Sequence, residues 1–229
     1  MLRLMGRVLA AGLILFAGAS HAQVVISQVY GGGGNTGATY NRDFVELFNR
    51  GSTPVSLSGL TIQYSSATGT GNFSVGSTLP NVSVSPGQYF LVGMASGANG
   101  APLPTPDATG TSAMSGTAGK VILVNSTSAL ACNGSSTPCS GAQLALIVDL
   151  VGFGGANFFE GAAPTPVLGN ALSATRAGGG CTDTNQNGAD FTAITPVARN
   201  TSSPLQSCGG GGLPLLAISD VSVFEGDSG

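Results

Sequence analysis

Between Val24 and Tyr64 lie three runs rich in β-branched and aromatic residues, Val24–Tyr30, Asp43–Asn49 and Val55–Tyr64, separated by Gly, Asn, Ser and Pro. Short strands joined by turns have this pattern, and no apolar spacing of helical period interrupts it. The middle run, DFVELFN, is the most constrained. A strand places Phe44, Glu46 and Phe48 on one face and Asp43, Val45 and Leu47 on the other. The sequence thus predicts a core face on which two rings flank one acid. Burying that acid requires a donor or cation, and Arg176, in the strand-like run ALSATR, is the expected partner.

Further strands are predicted at 88–93, 120–125, 143–151 and 190–194, with a weaker one near 72–75 or 82–84. Seven or eight short strands without helices predict an all-β sandwich with long Gly/Ser-rich loops, formed by residues 23–208. Gly31-Gly32-Gly33-Gly34-Asn35 follows a strand as a phosphate loop would, but lacks the Gly-Lys-Ser/Thr that neutralises phosphate. It reads as a flexible loop. Tyr30, Tyr40, Phe153, Phe158 and Phe159 adjoin glycine-rich segments, where rings either plug the ends of a sandwich or form an exposed binding patch.

Three segments, VISQVYGGGGN, DFVELFNRG and VSLSGLTIQY, resemble the lamin-tail domain as found in secreted bacterial proteins. The resemblance continues through PGQYFLV, GKVILV, VDLVGFG and CTDTNQNGADF, covering most of Val24 to Cys208. It implies an immunoglobulin-like β-sandwich used for binding or localisation, without catalysis of its own. Bacterial members commonly accompany extracellular nuclease or phosphoesterase domains. The alternative it implies is therefore a targeting domain for such an enzyme lying downstream.

Residues 1–22 combine Arg3 and Arg7, an apolar run from Val8 to Ala17 and a small-residue end. This describes a secretory signal peptide, too short to span a bilayer, with cleavage expected after Ala22. The protein is accordingly expected outside the cytoplasm: secreted, periplasmic or at the cell surface. Cleavage removes His21, the single histidine. Without it, Ser-His-Asp and Cys-His catalysis, histidine-based zinc sites and the histidine chemistry of most nucleases are excluded. The remaining basic residues are Arg42, Arg50, Lys120, Arg176 and Arg199, against ten acidic ones. Phosphate neutralisation dominates nucleic-acid affinity, so tight nucleic-acid binding by this portion is not expected.

The four cysteines, Cys132, Cys139, Cys181 and Cys208, read as disulfides formed outside the cytoplasm. Of three pairings, Cys132–Cys139 and Cys181–Cys208 is favoured, closing a short loop and tying down the last strand region. Asp183-Thr184-Asn185-Gln186-Asn187-Gly188 opens like a calcium loop. Asp183, Asn185, Asn187 and Asp190 are its candidate ligands. The bidentate Glu is missing, so at most weak Ca²⁺ binding is expected; the competing expectation is a turn closed on its own backbone, with no cofactor.

Residues 209–213 read as a Gly-rich linker. Residues 214–229 resemble the first strand of a Calx-β domain, and one strand cannot bury a face alone. The chain is thus expected to be the front of a longer extracellular protein whose partner is a surface, polymer or protein.

Overall fold

The computed structural model describes residues 22–209. Residues 1–21 of the expected signal peptide, most of the expected linker at 209–213 and the residues 214–229 that resemble the start of a Calx-β domain lie outside the described residues. Twelve strands follow in order: β1 (Val24–Tyr30), β2 (Arg42–Asn49), β3 (Val55–Ser56), β4 (Thr61–Ser66), β5 (Ser74–Thr78), β6 (Ser83–Val84), β7 (Tyr89–Ser96), β8 (Ala108–Thr109), β9 (Gly119–Val124), β10 (Ile147–Phe153), β11 (Ser173–Arg176) and β12 (Phe191–Ile194). One sheet has the order β12-β11-β1-β2-β7-β8, the other β10-β9-β4-β5, and β3 pairs with β6 apart from both. All pairings are antiparallel except β7 with β8. The predicted sandwich is present.

Its principal core takes Val45 and Leu47 from β2, Phe90, Val92 and Met94 from β7, and Val121 and Leu123 from β9. In β1 the register shifts between Ile26 and Gln28. This bulge changes the alternation, so Val24, Ile26 and Val29 all reach the same core.

Phe44, Glu46 and Phe48 are buried, but on the other side of the first sheet. Phe44 packs with Tyr30 and Leu91, and Phe48 with Val25 and Tyr89. The expectation that this aromatic face is the central core is corrected. Alternation alone could not separate a sheet-to-sheet face from an outer face covered by chain. The cover here is the extended segment 197–208, fastened by Gln28 Nε2 to the Val197 carbonyl, by Thr201 to Asp107 and by Gln206 N to the Gly87 carbonyl. The Cys181–Cys208 disulfide closes it.

The second sheet is covered in the same way. Ile122, Val124 and Leu150 pack beneath Leu130, Cys132 and Phe73, and the Cys132–Cys139 disulfide holds the loop in place. The favoured cysteine pairing is the one observed.

Several boundaries differ from expectation. The run 55–64 divides into β3 and β4 at a turn where Leu60 N bonds the Leu57 carbonyl and Gly59 takes φ 82°. The run 143–151 begins instead as a helical turn, α1 (Gly141–Leu144), because Ser140 and Gln143 form a reciprocal capping box. Both candidate weak strands exist, as β5 and β6. The four-glycine run is not a flexible loop. It threads between backbones so closely that a Cβ on Gly33 would lie 2.0 Å from the Arg42 carbonyl carbon, and one on Gly31 2.2 Å from the Ser115 oxygen. Glycine is required there for close approach.

Gly33→Ala should lower unfolding free energy by about 1–3 kcal/mol or more, since backbone atoms would have to move. Gly71→Ala, where a Cβ meets nothing within 4 Å, should leave it within about 1 kcal/mol of the parent. Paired urea melts check the contrast; equal losses would contradict the packing of this run.

Candidate functional site

The densest polar cluster lies where the two sheets meet at the β1 bulge. β11 pairs with β1 at Gln28 and Val29, and beyond that point side chains replace the strand as partners of Ile26. The Ile26 carbonyl accepts from Arg176 Nε at 2.9 Å, and its N–H donates to Asp149 Oδ2 at 2.5 Å. Arg176 Nη2 then bonds both Asp149 oxygens, at 3.0 and 2.8 Å. Arg176 comes from the first sheet and Asp149 from β10 of the second, so this fork ties the layers together through the two backbone groups of one residue, Ile26.

Arg176 Nη1 donates to Asp183 Oδ1 at 3.1 Å and lies 3.6 Å from Asp190 Oδ2, and the guanidinium stacks 4.5 Å from the Phe191 ring centroid. Arg50 adds a second cation, 3.4 Å from Asp183. Burial alone would lower the Arg176 pKa, but Asp149, Asp183 and Glu160 outweigh it and raise it. The guanidinium stays charged, and the carboxylates around it hold the fold.

The four residues read as calcium ligands all sit in this region. Asp183 accepts from both arginines. Asp190, in the short turn α2 (Asn187–Asp190), accepts from Thr184 N at 2.8 Å, Thr184 Oγ1 at 2.7 Å and Gln186 N at 3.3 Å. Burial would raise its pKa, yet these bonds hold it below the ordinary value. Asn187 is fully buried and closes the open edge of β10: its Oδ1 accepts from Gly152 N at 2.8 Å and its Nδ2 donates to the Leu150 carbonyl at 2.9 Å. Asn185 is exposed, with φ 55°. Asp183, Asp190 and Asn187 therefore serve the chain's own donors. Among the described residues no group of three or more His, Cys, Asp or Glu could hold a metal ion.

Glu46 does not pair with Arg176, as the sequence suggested, but with Arg199. Arg199 Nη2 lies 2.7 Å from Oε1, Arg199 N donates to Oε2 at 2.8 Å, and Ser27 Oγ donates to Oε1 at 2.6 Å. The guanidinium also lies 3.8 Å from the Tyr89 ring centroid. The expectation failed because Arg199 belongs to an irregular covering segment with no strand pattern. Lys120 was also not singled out. It shares an alternation face with Ile122 and Val124 and is wholly buried, donating to the Asn133 carbonyl and Asn157 Oδ1, both at 2.9 Å. Burial lowers its pKa. The sequence signal was that GKVILV is apolar on both faces, which calls for a second layer above the sheet.

The aromatic patch does not form. Tyr30 and Phe153 are fully buried, Tyr40 packs edge-on against Tyr30, and the half-buried Phe158 meets Phe73. These rings plug the ends and covers of the sandwich. A cleft of about 370 Å³ lies beside the Cys181–Cys208 disulfide between Arg50, Pro86 and Leu205.

With the geometry established, a model of the family described as Lamin Tail Domain matches residues 17–140. The match ends before β10, β11 and β12, which supply the outer strands of both sheets and the Asp149–Arg176 fork. No curated protein matches the chain.

Glu160 borders the cluster, 3.2 Å from Asn187 Nδ2. Burial, and then the charge of Asp149, push its carboxyl up to about 8. Its folded pKa lies above its unfolded value, so the stability it contributes is complete at acid pH and disappears as pH rises through about 8. Subtracting the pH–stability curve of Glu160→Gln from that of the parent should isolate this fall. A flat difference across that window would show that Glu160 is not held protonated.

Proposed function

We propose that this chain, which belongs to the lamin tail domain family, works outside the cytoplasm as a non-catalytic binding or localisation module. The family is a non-catalytic immunoglobulin-like domain, and the two disulfides are compatible with an oxidising compartment. No helix of the described residues is long and apolar enough to cross a membrane. The module's place at the front of a larger extracellular protein rests on the sequence of its two ends.

One observation carries the non-catalytic reading. Among the described residues, every buried side-chain nitrogen and oxygen has a hydrogen-bond partner within the fold. Asp149, Asp183 and Asp190 face Arg176, and Glu46 faces Arg199. Asp107 accepts from Leu91 N and Thr201 N. Hydrolysis needs a general base or metal ligand aimed at substrate, and these groups are aimed at the chain.

The same accounting disfavours grip on a polyanion. Arg50, Arg176 and Arg199 are ion-paired, Lys120 is buried, and Arg42 Nε donates to the Met94 carbonyl. Few cations remain to neutralise phosphates.

Incubating the purified chain with single- and double-stranded DNA, RNA and a chromogenic phosphodiester, in Mg²⁺, Mn²⁺ or Ca²⁺, should give no turnover. Hydrolysis that disappears when one of the chain's own carboxylates is replaced would overturn the reading. If an extracellular enzyme is the cargo, that activity should appear only when sequence beyond Gly229 is attached.

A further inference from the structure

Asp43 stands apart from the other buried acids. It is only 4% exposed, yet no basic side chain among the described residues forms an ion pair with it. Its oxygens accept backbone N–H groups from two different loops, Gly33 N at 2.8 Å and Met114 N at 2.9 Å. The neighbouring Arg42 has its Nε on the Met94 carbonyl. Tyr30 and Tyr64 are the other titratable groups that feel its charge, and both are raised by burial first and by Asp43 as well. Two dipoles and no cation leave a buried negative charge under-compensated.

This carboxylate lines a solvent-open cleft of about 180 Å³. The walls are backbone and small side chains: Gly33, Gly34, Gly97 and Ala113, with Met114 alongside. Drug-sized ligands occupy clefts of about 300–1,000 Å³, so a nucleotide or sugar does not fit, whereas a single slender side chain does. A hard metal ion wants about six to eight oxygens, and one carboxylate cannot organise them. A guanidinium engages carboxylates best through a planar fork onto both oxygens, and both are already taken by N–H groups. An ammonium is a compact point charge that needs no such fork.

We propose that this glycine-walled cleft receives a primary ammonium on an unbranched alkyl chain, with Asp43 as its counter-ion. Lysine side chains and short alkyl diamines share that chemistry. Burial pushes the Asp43 carboxyl up to about 6, against the pull of its two N–H donors, so the site is negative at neutral pH and an incoming cation relieves its cost. The inference rests on the module reading and gives that module a ligand class.

The test follows the Gly33 and Met114 amide resonances of the purified chain at neutral pH during titration with Nα-acetyl-lysine methylamide and with 1,5-diaminopentane. Both resonances should shift saturably, and binding should weaken as pH falls through about 6. The Nε-acetylated lysine derivative should leave them unmoved. Tighter binding of the lysine derivative would identify a protein partner, and tighter binding of the diamine a free amine.

Ala113 is exposed and lines the cleft, and the hydrogen bond that holds Asp43 on this side comes from the backbone of the next residue, Met114. Ala113→Leu should therefore fold and weaken binding by about tenfold or more. Asp43→Asn should abolish it; if that variant does not fold, Ala113→Leu decides. Absent shifts, equal shifts with n-pentanol or Ca²⁺, or unchanged binding by folded Ala113→Leu would each overturn the proposal. None of these results bears on whether the domain is catalytic, which only turnover can show.

Discussion

The fold depends on a guanidinium in place of a strand. At the β1 bulge the first sheet loses its regular ladder, and Ile26 is left with an N–H and a carbonyl that must be satisfied out of water. Asp149 takes the first and Arg176 the second, and they bond each other at 2.8 Å. The bulge is needed because it brings Val29 to the same core as Ile26. Removing one partner of such a buried pair leaves an uncompensated charge, at about 3–5 kcal/mol. Asp183 and Asp190 extend the fork into the 183–190 turn, and Asn187 finishes the edge of β10 from that turn.

A second principle follows from the scarcity of charge. Charged residues are 7% of the chain, and those in the described part are largely spent inside. Arg199 anchors the covering segment to Glu46 on the first sheet, and Lys120 anchors two loops over the second. The central strands of each sheet are thus buried on both faces, with irregular chain as the outer layer and one disulfide fastening each cover. The exposed chain is correspondingly rich in Gly, Ser, Thr and Asn. Asp43, which among the described residues is a buried acid beside a cleft with no ion-paired cation, is the exception.

The strands were legible because alternation and turn residues are local. β1, β2, β7 and β9 lie within a few residues of their predicted places, and the cysteine pairing agreed with the proximity of loop ends. Three matters were not legible. Whether Phe44, Glu46 and Phe48 face the other sheet or a covering segment depends on residues about 150 positions away, at Arg199. The same distance separates Arg176 from Ile26, so the choice between Arg176 and Arg199 for Glu46 is a question of topology. The glycine run looked flexible because glycine serves both freedom and close approach, and only the neighbouring backbones of Arg42 and Ser115 show which applies. At 183–190 the calcium-like spacing is a local pattern, while the partners of its side chains are set by the fold: Asp183 accepts from Arg50 and Arg176, Asp190 from Thr184 and Gln186, and Asn187 from Gly152.

The most direct measurement is a double-mutant cycle on the fork, with unfolding free energies for the parent, Arg176→Met, Asp149→Leu and the double variant. If the pair substitutes for a strand, each single change should be strongly destabilising and the double change should cost clearly less than their sum, with a coupling of about 1–3 kcal/mol. Additive single costs, or an Arg176→Met protein as stable as the parent, would contradict the claim that this guanidinium holds the sandwich together.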